Sequence, residues 1–304
     1  MRADRSQKEP SRYFWAALAA PGVVWLTLLF IVPFYVVIAI AAGRLNPIFF
    51  SSEPVWNPAA WSGANFARVF HDIFGAGAFI SPILLRSLAY VAIATAISLV
   101  IAFPVAYFVT RFSGRRKGIF LALLIAPFWI SYMMRMLAWI DLLQNNGYVN
   151  KAMTFLHLAA HPIDWLGGQS VTVILGLVYG YIPYLILVLY AGLDRIDQSL
   201  IEAGRDLGLN GPQTFFRIVL PLSRQSVMTG VLITALPMIG DYFTNQMLSG
   251  ASSTSMIGNV IEGQLYATGL AGEGAALSLL LLCVLLIPMI YYVVSTNRAS
   301  KELV

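Results

Sequence analysis

The sequence predicts an all-α integral membrane protein with six transmembrane helices, and three observations carry that prediction. Of 304 residues, 59% are hydrophobic and only 11% charged, against about a quarter charged in soluble domains. Mean hydropathy is +0.75. The apolar residues gather into six stretches, each near or above the roughly 20 residues that span hydrocarbon. Finally, lysine and arginine alternate in density from one connection to the next.

Residues 1–13 form a basic N-terminal tail with Arg2, Arg5, Lys8 and Arg12. The first span, 14–42, is 29 positions without a charge. A cleavable signal peptide competes with this reading, but the small residues Ala16 to Ala20 precede the apolar run instead of following it. Residues 43–82 hold Pro47, Pro54, Pro58, Trp56 and Trp61, too polar and broken to span, and are expected as interfacial structure. The second span, 84–110, has Arg86 at its end and Pro104 inside; a short turn with Arg115, Arg116 and Lys117 follows. The third, 118–143, contains Pro127, Trp129, Arg135 and Asp141. A loop over 144–168 leads to the fourth span, 169–193. The fifth is 223–248 and the sixth 271–294, with a tail at 295–304.

Orientation follows from the lysines and arginines. The N-terminal tail, the turn from Arg111 to Lys117 and the connection after the fourth span carry four each, and the tail carries Arg298 and Lys301. The intervening loops hold Arg44 and Arg68, then Lys151 alone, then none. Fourteen positive charges against three put both termini, and the connection 194–222, in the cytoplasm. The net charge of +5 thus marks a membrane face and its anionic lipids. No basic patch interleaved with aromatics points to nucleic acid.

The connection 194–222 is the long polar segment between two apolar ones. Ser199 and Glu202 have the spacing of a capping box. Gly208 stands where a short helix needs a left-handed C-terminal residue. Asn210-Gly211-Pro212 reads as a turn with proline at a first helical position, and a second short helix runs toward Pro221, which is expected to kink or break it.

Glu202-Ala203-Gly204, then Gly208, Ile218, Leu220 and Pro221 reproduce the spacing E-A-A-x3-G-x9-I-x-L-P. This resembles the EAA loop of ABC importer permeases, departing at Gly204, where that family often has alanine. The resemblance implies a type I ABC importer permease fold with a cytoplasmic coupling loop that docks into an ATPase, carried by Glu202, Ala203, Gly204, Asp206, Gly208, Ile218, Leu220 and Pro221. Glu202 either contacts the ATPase or only caps its own helix. Further stretches are similar to spermidine/putrescine permeases of the PotB type. They are Pro127-Phe128-Trp129 with Arg135, Asn146-Gly147-Tyr148-Val149-Asn150, Gly176-Leu177-Val178-Tyr179 with Ile182-Pro183, and Ile257-Gly258-Asn259-Val260-Ile261. Together they cover 84–294. That likeness implies a polyamine cargo, a PotC-like second permease, a pair of PotA-like ATPase subunits and a PotD-like external binding protein.

Ionisable residues inside the membrane are costly and mark functional candidates: Arg135, Asp141 and Asp241, with Glu262 and Glu273 nearer the external surface. Arg135 and Asp141 are six residues apart, about 240° around a helix, and do not face each other. Asp241 follows Pro237 and sits beside Gly240, where the backbone is free to unwind. It either lines a translocation cavity that recognises a cation or pairs with Arg135 to hold helices together. Trp129, Tyr132, Tyr179, Tyr181, Tyr184 and Tyr242 are candidates for a cation-attracting wall, or for interfacial belts and packing.

Enzyme signatures are missing. No G-x-x-x-x-G-K-[ST] loop occurs, so no cofactor is expected on this chain, and ATP with Mg belongs to the partner ATPase. His71, His157 and His161 have no HExxH or cysteine companions, so no metal site is expected. Cys283 lies alone in an apolar run. A secondary transporter is the rival class, but the paired, repeated halves it calls for are not found.

Overall fold

The computed structural model describes residues 12–301; Arg2, Arg5 and Lys8 of the basic tail, and residues 302–304, lie outside them. The helices are α1 (Arg12–Ala41), α2 (Ala64–Phe74), α3 (Ile80–Phe112), α4 (Lys117–Ile125), α5 (Tyr132–Leu143), α6 (Tyr148–Phe155), α7 (Ser170–Leu193), α8 (Gln198–Asp206), α9 (Gly211–Thr214), α10 (Leu220–Ile239), α11 (Phe243–Leu248), α12 (Ile257–Tyr266) and α13 (Ala271–Lys301). Two strands, β1 (Arg44–Leu45) and β2 (Ser52–Glu53), pair antiparallel. Five helical stretches are long and apolar enough to cross a membrane, or six when one bent pair counts as a span.

The chain divides into two compact units. The first takes the residues up to Val69 together with Gln264–Leu279. In it the loop after α1 is a folded structure. The Asn65 amide donates to the carbonyls of Ala41 (2.9 Å) and Gly43 (3.3 Å). Trp61 Nε1 donates to Val55 O at 2.8 Å, and the Tyr35 hydroxyl donates to Trp56 O. Arg68 and Glu273 form an ion pair at 2.7 Å, so the acid at the start of α13 has a structural partner.

The second unit, Phe70–Gly263 with the rest of α13, is built on α3, α7 and α10. Membrane helices associate through close packing and small residues, because lipid supplies no hydrophobic drive between them. Gly230 on α10 accordingly meets Leu185 on α7, and Gly176 on α7 meets Leu248 and Thr244 on α11. Arg86 on α3 donates to the carbonyls of Ser253 (2.5 Å) and Ser255 (2.9 and 2.6 Å), pinning the loop before α12.

Two apolar stretches differ from straight spans. The third is bent by 85° between its halves, Gly114–Trp129 and Tyr132–Phe155. Pro127 lies in a tight 3₁₀ turn, Ala126–Trp129, and Ile130 is extended (φ −76°, ψ 138°). Pro127 has no N–H to continue the α-ladder, so the helix tightens to 3₁₀ there, and the chain turns extended at Ile130 and Ser131 just beyond it. The other is the fifth stretch. Its helix starts at Gly211, passes Pro221 without breaking and ends at Ile239; after Gly240–Tyr242 the short α11 resumes. The expected break at Pro221 is corrected by one turn of π-helix at Phe215–Val219, in which Leu220 N–H reaches back to Phe215 O. The wide turn takes up a proline that has no N–H for the carbonyl one α-turn back.

Candidate functional site

Two places gather the residues singled out above, and the first is the segment from α8 to α10. Asp197 caps α8: its carboxylate accepts the Ser199 N–H at 3.0 Å. The expected Ser199–Glu202 capping box is therefore replaced by a cap two residues earlier, and Glu202 makes no side-chain hydrogen bond to any described residue. The helix stops at Leu207, and Gly208 follows with φ +86°, the left-handed region open to glycine. Asn210 and Gln213 form a reciprocal capping box on α9, with Pro212 at its second position. Sequence reading placed a box in this segment, but on the wrong helix, because Ser-x-x-Glu and Asn-x-x-Gln have the same spacing.

The inner and outer faces of this segment differ. Ile201 and Gly204 are buried while Glu202, Ala203, Asp206 and Gly208 are exposed, and Leu207 is 86% exposed. A Cβ on Gly204 would stand 2.4 Å from Ile218 Cδ1, so two residues of the E-A-A-x3-G-x9-I pattern meet across the turn. Ile201 and Val219 enter one core cluster with Ala102, Phe103 and Ala106 of α3 and with Leu185, Leu189 and Leu193 of α7. Basic residues that the sequence offered only as orientation signals complete the junction. Arg111 donates to the carbonyls of Leu193 (3.1 Å) and Ile196 (3.0 Å), and Lys117 pairs with Asp194 at 2.6 Å. Leu220 is at the edge of exposure and Pro221 opens α10.

The second place is a cavity of about 410 Å³ among α5, α7 and the α10–α11 break. Asp241, Tyr242, Arg135, Tyr132, Tyr181 and Tyr184 line it. Helix α10 ends at Ile239, which leaves Asp241 to receive a backbone N–H at the start of α11: Oδ1 accepts from Thr244 N–H at 2.9 Å. Its Oδ2 accepts from the hydroxyls of Thr244 (2.6 Å), Tyr181 (3.2 Å) and Tyr132 (3.4 Å). Gly180 on α7 lets Tyr132 come close, since a Cβ there would lie 2.9 Å from its hydroxyl oxygen. The Tyr132 and Thr244 hydroxyls also bond each other.

Arg135 does not pair with Asp241. The ion pairs among described residues join other groups. The Arg135 guanidinium instead lies over Phe128 at 4.3 Å, with Tyr132 at 5.2 Å and Tyr179 at 5.8 Å. Tyr179 thus stands behind Arg135 and does not line the cavity. Trp129, in the bend, is 83% exposed and outside the cavity. Asp141 is exposed and touched by the Gln144 amide, also away from it. The bend at Ile130 turns α5 away from the line of α4 and leaves Trp129 outside, whereas Asp141 lies six residues from Arg135 on the same α5 and so points away from it, as the helix wheel predicts. Thr244 and Gly180 had no sequence signal, because their roles depend on the helix break and the close crossing.

Apolar helices interrupted by a break at an acidic cavity, with a capped helical segment between the fourth and fifth stretches, define a multi-pass membrane permease. Residues 11–301 match the family described as binding-protein-dependent transport system inner membrane component, and the chain belongs to that family. It is similar to the spermidine/putrescine transport system permease protein PotB of Salmonella typhimurium strain SL1344, 32% identical over 238 residues, 78% of this chain and 80% of that protein. The Escherichia coli K12 PotB protein is 33% identical over 72% of this chain and 79% of its own length. The inner membrane ABC transporter permease protein YdcU of Escherichia coli K12 is 32% identical over 65% and 66%. In fold the chain resembles a bacterial ABC transporter for alginate import, with TM-score 0.67 at 17% identity over 94% of this chain and 96% of that one. The MetNI methionine ABC transporter gives TM-score 0.53 at 17% identity over 74% and 95%. The chain is a permease subunit of a binding-protein-dependent ABC importer in the inner membrane.

Proposed function

We propose that this permease imports polyamines of the spermidine and putrescine class, delivered by a PotD-like binding protein and driven by PotA-like ATPase subunits beside a PotC-like second permease. Both termini and the α8–α10 segment then lie in the cytoplasm, a placement that the distribution of lysine and arginine supports. Glu202, Ala203, Asp206 and Gly208 present the ATPase-facing surface, while Gly204, Ile218, Leu220 and Pro221 hold the segment on the spans. No ATP, Mg or other cofactor is assigned to this chain.

The observation that carries the coupling role is the division of α8. One face is bare and polar, and the other, through Ile201, is part of the α3–α7 core. A rigid helix rooted in that way passes displacement to the spans as a body. The cargo reading is supported by the PotB relatives and by a cavity whose Asp241 carboxylate is surrounded by tyrosines, which favour cations by charge and by their ring faces.

The test is ATP hydrolysis by the reconstituted complex with binding protein loaded with spermidine, with putrescine or with an unrelated organic cation. Stimulation by the polyamine-loaded protein alone is expected. Equal stimulation by the unrelated cation, or none by polyamines, contradicts the cargo reading.

A further inference from the structure

The cavity has two poles, and only one of them is answered by the described residues. Asp241 takes four donors: one backbone N–H and three hydroxyls. Arg135 is 8% exposed, and its Nε and Nη1 are buried without an acceptor among the described residues. Aromatic faces soften a guanidinium charge but accept no N–H in the way a carboxylate does. A buried cation with unsatisfied donors inside a membrane is unfavourable unless something else supplies the anion. Arg135 lines the same cavity as Asp241 without forming an ion pair with it. The unmet valence of a site read as selecting cations is therefore positive.

We infer that the Arg135–Asp241 cavity takes a small amine that also carries a carboxylate, with the carboxylate on the Arg135 guanidinium and the ammonium on the Asp241 and tyrosine side. The inference rests on the permease being an importer of small amines and extends its cargo beyond plain polyamines. Arginine suits the role because its planar fork matches a carboxylate, whereas a lysine would offer only a point charge. Tyr132 is shared by the two poles: its ring lies under the guanidinium and its hydroxyl bonds Asp241. The spacing of the poles is thus set by one rigid side chain.

The experiment measures equilibrium binding to the assembled importer complex in lipid nanodiscs, without binding protein or nucleotide. The probes are 4-aminobutanoate, 1,4-diaminobutane and butanoate, alike in length and different only at the ends. In the wild type 4-aminobutanoate is expected to bind on the order of 10-fold or more tighter than either of the others, the scale of one charge-assisted hydrogen-bonded contact. Arg135→Gln is expected to erase that preference, and Arg135→Lys to keep part of it. A lysine variant that assembles keeps the test open should the glutamine variant fail to fold. A diamine that binds as tightly as the amino acid, or a preference that survives Arg135→Gln, overturns the inference. Binding of the diamine alone does so while leaving the polyamine reading intact. Binding of 4-aminobutanoate alone upholds the inference and counts against plain polyamines. Binding of no probe overturns the inference, and stimulated hydrolysis then decides the cargo independently.

Discussion

Gly204 carries the clearest consequence at the scale of single residues. A Cβ there meets the end of the Ile218 side chain, which rotates away cheaply, so Gly204→Ala is expected to be tolerated. Gly204→Leu forces the two short helices apart and is expected to cost about 1–3 kcal/mol by overpacking, read as a lower unfolding temperature of the purified complex. A leucine variant with unchanged stability would show that the turn is not packed as described. At this scale the sequence was most informative where spacing alone decides, as in Gly208, whose φ of +86° belongs to the position after a helix end. It was least informative for Asp241 and Arg135. Nothing in a linear chain says that Tyr181 and Thr244 satisfy the acid, or that Phe128 lies under the guanidinium.

At the scale of elements, the start of α8 depends on Asp197. The Ser199 N–H and hydroxyl, with the charge of Arg111, hold the Asp197 carboxyl below the usual carboxylate range. The sign is that of a lowered acid. The cap supports α8 at and above the ordinary aspartate pKa of about 3.9 and is lost as pH falls through the lowered folded value. The protection of the α8 amides against hydrogen exchange, taken relative to the intrinsic rate at each pH, is expected to fall in that acid range, and Asp197→Asn, also a good cap, to remove that loss. Protection in the wild type that ignores acid would place the cap elsewhere. Element lengths followed from apolar runs, but the bend at Ile130 and the π-turn before Pro221 did not. Proline announces that an α-turn cannot continue unchanged; whether the chain breaks, tightens to 3₁₀ or widens to π depends on packing around it.

For the whole molecule, α8 is joined to the cavity by way of the core and the body of α7. Ile201 of α8 and Val219 of the π-turn pack with α3 and α7 in that core. The same α7 carries Gly180 and Tyr181 to the cavity. On the proposed coupling role, displacement of α8 would reach the cavity through the body of α7, by way of the junction clamped by Arg111 and Lys117. The side chains that make this link are ordinary apolar residues with no motif of their own, which is why the sequence could mark the segment from α8 to α10 but not its path to the cavity.

Ile201→Ala tests that link most directly. Removing this buried side chain weakens the contact between α8 and the spans, on the scale of about 2–5 kcal/mol for a core truncation, while leaving the exposed face of α8 untouched. The measurement is solute imported per ATP hydrolysed in proteoliposomes, with co-purification of the ATPase as the control for assembly. Continued hydrolysis with several-fold less import per ATP is expected. An assembled Ile201→Ala complex with an unchanged ratio would contradict it.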